Sequence, residues 1–170
     1  IEDNAHGLLG RYRGKPLGTF GALATLSFHE TKNITCGEGG ALLVNDRSLI
    51  ARAEIIHKNG TDRSRFLRGQ VDKYTWRDLG SSYVPSDLIA AFLCAQLSVS
   101  AKTQAKRREV WEFYKERLAP WAAEHGIVLP AVPARCAQSY HMFYLLLPSL
   151  KRRQQLIERL KSRDILSLFH

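Results

Sequence analysis

The chain has 170 residues, 45% hydrophobic and 24% charged, the proportions of a folded domain long enough to bury a core rather than of a disordered or collagen-like chain. Against 16 acidic residues stand 25 Lys and Arg, a net charge of +9, which points to an anionic partner: nucleic acid, a membrane surface or a phosphorylated small molecule. Three scattered cysteines without a CxxC pair, and no apolar run approaching ~20 residues, exclude a disulfide framework, a thiolate zinc site and a membrane-spanning helix.

Ile1-Glu2-Asp3 reads as the end of a buried strand, and Ile165 to His170 run apolar to the last residue. With no initiator Met, both ends look cut, and the chain reads as part of a larger protein. Asn4 to Gly10 carries a turn or helix start, and Gly14, Pro16, Gly18 and Gly21 punctuate the residues after it. Leu23 to Phe28 is a nearly continuous apolar run, read as a buried strand. The polar segment His29 to Asn33 and the cluster Gly37-Glu38-Gly39-Gly40 separate it from a second buried strand, Ala41 to Val44. Asp46 then caps a helix with Leu49, Ile50, Ala53, Ile56 and His57 on one face, stopped by Asn59-Gly60.

Residues 61–84 show no period and read as a long functional loop rich in Arg, Asp, Tyr and Trp. A helical pattern runs from Ser86 to about Leu118, with a bend at Ser98 to Ser100. Pro120, Gly126, Pro130 and Pro133 break up the next stretch. Met142 to Leu147 reads as a strand, and Arg152 to Arg163 as an amphipathic helix with Leu156, Ile157 and Leu160 on one side. Strands alternating with helices make the first half α/β; the second half reads as a separate α+β piece.

In open α/β sheets, ligands sit at the carboxyl ends of strands. Lys32 lies just past such an end, in Ser27-Phe28-His29-Glu30-Thr31-Lys32-Asn33. Partial desolvation there makes its amine a candidate nucleophile for a carbonyl, against the plainer reading of a solvated charge. Asp3, at the other strand's carboxyl end, reads as a buried carboxylate that needs a partner, and His6 as a cap or a site residue. Gly37 to Gly40 matches neither the P-loop nor the dinucleotide pattern. Lys106-Arg107-Arg108 and Lys151-Arg152-Arg153 read as solvated helix faces without the aromatic interleaving of base-stacking surfaces. Tyr74, Trp76 and Tyr83, among Arg63, Arg65, Arg68, Lys73 and Arg77, either hold a nucleotide or pack under a subunit contact.

Taken in order, Glu2-Asp3-Asn4-Ala5-His6-Gly7, Gly18-Thr19-Phe20-Gly21, Ser27 to Asn33, Gly37 to Gly40 and Asn45-Asp46 resemble the signature of the DegT/DnrJ-type sugar-nucleotide aminotransferases. These are pyridoxal-phosphate (PLP) enzymes of the aspartate aminotransferase fold. The stretch Phe66 to Tyr83, with His141-Met142-Phe143-Tyr144 and the closing Phe169-His170, resembles the subgroup that makes dTDP-4-amino-4,6-dideoxygalactose from the 4-keto-6-deoxyglucose nucleotide. The resemblance implies an α/β fold: the C-terminal half of the large PLP domain, with a mostly parallel sheet, over 1–97. A linking helix and the start of a smaller α+β domain would occupy 98–170.

It also implies roles. Lys32 would be the catalytic lysine that holds PLP, and Asp3 would face the pyridine nitrogen. His6 would lie against the cofactor ring, and Ser27 would bond the phosphate. Ser82 stands where many relatives place an Asn that reaches the phosphate across a subunit interface. His29, Trp76 and Arg77 are the substrate-binding candidates, and no metal is implied. The expected reaction moves an amino group from glutamate to carbon 4 of a dTDP-4-keto-6-deoxy sugar, in a cytoplasmic homodimer with shared active sites. Its product would serve cell-surface polysaccharide or lipopolysaccharide synthesis, with neither nucleic acid nor membrane as partner. The family's upstream phosphate cradle is missing from the sequence. The 170 residues alone are therefore expected to bind PLP weakly and turn over little. The alternatives are a transaminase for another keto sugar nucleotide, a non-catalytic basic binding module, and a remnant without function of its own.

Overall fold

Strand β1 (Glu2–Asp3) lies parallel to β4 (Leu23–Ser27), with Glu2 opposite Ala24 and Asp3 opposite Thr25, and β5 (Gly40–Val44) closes a three-stranded sheet in the order β1-β4-β5. The computed structural model describes residues 1–169; His170, half of the closing Phe169-His170 pair, lies outside the described residues. The parallel arrangement expected of the sheet holds for β1 on β4. It fails for β5, which runs antiparallel to β4 from Leu23↔Val44 to Ser27↔Gly40. The reason is the connection: residues 28–39 contain no helix to carry a crossover, so the chain turns back on itself. Phe28 N–H donates to Gly39 O and Cys36 N–H to Phe28 O within that return. Phe28, Ile34 and Cys36 are buried there, packed by Leu8, Leu26, Ala41, Ile89 and Leu93. A Cβ on Gly39 would stand 2.6 Å from Cys36 Sγ. The glycine cluster is thus a packed turn.

The path from β1 to β4 holds a hairpin, β2 (Arg11–Tyr12) and β3 (Lys15–Pro16), turning through Arg13 and Gly14 at φ 50° and 79°. Two successive residues with positive φ are the mark of a tight hairpin turn. β2 also pairs antiparallel with β6 (Cys136–Ala137), which ties the start of the chain to its second half. Beside the hairpin, Glu2 accepts three backbone N–H bonds, from Gly18, Phe20 and Gly21. The Gly21 N–H is the chief of several influences that hold its carboxyl below the ordinary range. The carboxylate that secures partners in this strand is therefore Glu2; Asp3, one pleat further on, is exposed, with Oδ1 accepting from Ala5 N–H at 3.1 Å.

Asp46 caps a short 3-10 turn (Arg47–Leu49) that leads into α1 (Ile50–His57). Gly60 N–H closes the helix onto Ile55 O, at φ 73°, where a Cβ would overlap Asp78 O. The following segment is not the structureless loop its composition suggests. It forms α2 (Arg63–Leu67) and is stitched by the bridges Lys58↔Ser82 and Thr61↔Trp76. Buried Asp62 organises it, accepting from Thr75 N–H and Arg77 Nε, both at 2.7 Å. The Thr75 N–H first, then Arg77, hold the Asp62 carboxyl below the ordinary carboxylate range. A depressed folded-state value contributes stability that is complete above the unfolded value, near ~4, and lost as pH falls through the folded one. Acidification below about pH 4 is therefore expected to free the Thr75 amide to exchange. Asp62→Asn should exchange faster already at neutral pH and lack the acid step; a Thr75 amide indifferent to both changes would count against this linkage.

α3 (Asp87–Ser98), capped by Ser86, and α4 (Ser100–Glu124) meet at Val99, the expected bend. α4 passes through Pro120 rather than ending before it. Proline removes one N–H, but Ala122 is buried beyond it and Gly126, at φ 65°, is where the chain finally turns. Residues 142–147 form no strand and make only a bridge from Leu146 to Val128. Their approach is held by α4 side chains instead: Gln104 donates to Gln138 O, Arg107 to Tyr140 O and His141 O, and Trp111 Nε1 to Met142 O. α5 (Leu150–Lys161), capped by Ser149, comes next. No helix among the described residues is long and apolar enough to cross a membrane.

Candidate active site

Parallel pairing brings the carboxyl ends of β1 and β4 to one edge, with Asn4 N–H donating to Thr25 O just beyond Asp3. A small pocket opens there, lined by Ala5, His6, Leu8, Ser27, Lys32, Asn33, Ile34 and His141. Lys32 is half-buried, and its backbone N–H donates to His29 O in the turn that carries it. Its amine has no hydrogen-bond or ion-pair partner among the described residues. The adjoining Asn33 and Ile34 are buried and anchor that turn to the core.

Three of the expected cofactor residues, Lys32, Ser27 and His6, thus line one pocket. Asp3 stands exposed at the end of the neighbouring strand and does not line it. Ser82 is exposed in its bridge to Lys58, also outside the pocket lining. His29 is turned to its own loop, with Nδ1 2.9 Å from Thr31 Oγ1 and Nε2 3.4 Å from Glu38 Oε1. Trp76 is exposed, whereas Arg77 is committed through Nε to Asp62. No group of three or more His, Cys, Asp or Glu suited to a metal ion occurs among the described residues.

Sequence reasoning passed over two members of this pocket, Asn33 and His141, as site residues. Both stood inside quoted motifs, one directly after Lys32 and one opening His141-Met142-Phe143-Tyr144. What was not visible was their meeting, with His141 Nδ1 2.8 Å from Asn33 Oδ1. Chemically, the donor set fits a phosphorylated aldehyde cofactor such as PLP. An amine without a partner among the described residues can capture the aldehyde and a strand-end hydroxyl can meet the phosphate, while the Asp3 carboxylate stands at the neighbouring strand end, outside the lining.

The sequence model of a family described as "DegT/DnrJ/EryC1/StrS aminotransferase family" matches residues 1–170. Among curated proteins, the chain is similar to the L-glutamine:scyllo-inosose aminotransferase of Streptomyces griseus, 33% identical over 152 residues, which cover 87% of this chain and 35% of that one. It is also similar to the GDP-perosamine synthase of Escherichia coli O157:H7, 34% identical over 122 residues, 69% of this chain and 30% of that one. Among solved structures, AtS13 from Actinomadura melliaura superposes with a TM-score of 0.82 at 29% identity, covering 98% of this chain and 42% of that one. The chain therefore spans less than half the length of each of these relatives.

Proposed function

The chain belongs to the DegT/DnrJ/EryC1/StrS aminotransferase family, and we propose that it forms the lysine-bearing wall of a PLP-dependent sugar-nucleotide transaminase. The observation that carries this reading is the amine of Lys32, without a partner among the described residues, in a pocket shared with Ser27 and His6. Bound there, PLP supplies an aldehyde for amino-group exchange and an electron sink for the carbon that loses a proton. Lys32 would hold the cofactor through its amine and, as a free amine, would carry a proton at Nζ. The Asp3 carboxylate, at the neighbouring strand end, would favour a protonated ring nitrogen. Ser27 Oγ, at the end of β4, would donate to the phosphate, and the exposed His6 imidazole would lie on the ring side of the site. Ser82 would reach a second copy's site in a homodimer.

We assign the acceptor as a dTDP-4-keto-6-deoxy sugar aminated at carbon 4 and the donor as glutamate, with Trp76, Arg77 and His29 toward the nucleotide sugar. In this reading residues 1–97 belong to the cofactor domain and 98–170 to the linking helix and smaller domain, in a cytoplasmic enzyme. The relatives support two further readings beside this one, since one is named for glutamine and scyllo-inosose and the other for GDP-perosamine. Borohydride reduction with PLP is expected to place the label on Lys32, found by peptide mapping. A panel of keto sugar nucleotides with glutamate and glutamine, read by product stereochemistry, separates the acceptors. Absence of label on Lys32 in the active protein would sink the reading.

A further inference from the structure

We propose that His141 is a positioning residue for Lys32 and His6, held in place by Arg107 of α4; this rests on the function proposed above for those two side chains. Asn33 Nδ2 donates to Ser139 O at 2.6 Å, which turns its Oδ1 toward His141. That oxygen can only accept, so the proton of this 2.8 Å contact sits on His141 Nδ1. The His141 ring also lies over His6, with centroids 4.4 Å apart and planes at 32°. Ser139 Oγ closes the group by donating to His6 O. Four of the residues that line the pocket, His6, Lys32, Asn33 and His141, are thereby joined, Lys32 through its neighbour Asn33.

The presentation of His141 has its own cause. Tyr140 holds φ 50°, a left-handed conformation that non-glycine residues adopt only when the surroundings impose it. Arg107 imposes it: Nε donates to Tyr140 O at 3.0 Å and Nη2 to His141 O at 2.6 Å. Burial lowers the guanidinium's pKa, and no carboxylate pairs with it among the described residues. A partly buried cation spent on two carbonyls of one turn is a fixture for the side chain that turn presents.

Two substitutions separate the contacts. H141F keeps a ring against His6 and removes the Nδ1 proton, whereas H141Q keeps an amide N–H for Asn33 and removes the ring. R107K, outside the pocket lining, leaves one donor group for the two carbonyls and carries the test if either His141 variant melts below assay temperature. Two quantities are read: the PLP dissociation constant by tryptophan quenching and, in cofactor-free protein, the acylation profile of Lys32, the fraction modified against time at one fixed pH, by peptide mass spectrometry. H141F is expected to weaken PLP about 10-fold, as the loss of one hydrogen bond of ordinary worth would. It should also bring the Lys32 profile toward that of exposed Lys73 in the same digest, as a half-buried amine released from its seat would react. H141Q should restore the Lys32 profile, and R107K should move both quantities in the H141F direction. Folded H141F or R107K within about twofold of the parent in PLP affinity, with an unaltered Lys32 profile, overturns the proposal. A full-length parent that PLP and borohydride leave unlabelled at Lys32 defeats the function reading instead, while the cofactor-free profile still decides the role of His141.

Discussion

In the full-length protein Lys32→Ala is expected to lower transamination at least ~10⁴-fold, because one substitution would remove both the covalent anchor and the proton carrier proposed above. The backbone of the Ser27 to Asn33 turn should survive the change. Its hydrogen bonds run through main-chain groups, Lys32 N–H to His29 O among them, and Ile34 stays in the core. Folding and melting temperature are therefore expected to match the parent. Lys32→Arg keeps the charge but should be equally inactive, since a guanidinium neither captures an aldehyde nor gives up a proton near neutral pH. Small amines added to Lys32→Ala should restore part of the proton-transfer rate. Activity within tenfold of the parent, or label on another lysine, would remove Lys32 from the chemistry.

Trp111→Ala carries the largest expected loss of stability. Among the described residues the buried apolar side chains are few, and Trp111 and Ala122 are those that α4 supplies. Trp111 Nε1 donates to Met142 O at 3.1 Å, and the indole meets Tyr140 and Phe143 edge-on at 5.8 and 5.5 Å. Truncation leaves a cavity and a carbonyl without its donor, at a cost of about 3–5 kcal/mol. At ~2–4 °C per kcal/mol for a chain of this size, the melting temperature should fall roughly 6–20 °C. Trp111→Phe keeps a ring but loses the hydrogen bond and part of the indole's volume, so its loss should be about 1–3 kcal/mol, smaller than that of the alanine. A Trp111→Ala melt within about 2 °C of the parent would show that α4 is not seated by this residue.

Lys32 was legible as a candidate amine because it lies just past a strand end that an apolar run announces, whereas Ser27 and His6 gained their cofactor roles only from the resemblance of their motifs to the aminotransferase signature. β5 was legible as a strand but not in its direction, because direction depended on whether residues 28–39 would form a helix. The order of the 61–84 segment was hidden in a single side chain. Asp62 reads as one charge among many until Thr75 and Arg77 are seen to close on it. Residues 142–147 have a strand's composition, yet a strand needs a neighbouring ladder, and Arg107 and Trp111 had already claimed the carbonyls of residues 140–142. The same two residues hid His141 from a reading of local pattern, since they lie thirty or more positions upstream.

The closing of β2 on β6, and of His6 on Ser139, also sets an order of events in the making of the protein. The partners are far apart in the chain, 133 positions for His6 and Ser139 and 108 for Asn33 and His141. Contacts of such separation form after local ones, so the β4–β5 return can fold while the pocket still lacks a side. At about 5–20 residues per second of synthesis, Lys32 emerges roughly 5–20 s before His141 exists. For that interval the nascent chain carries Lys32 without His141, and this side of the pocket closes only when the second half of these 170 residues arrives.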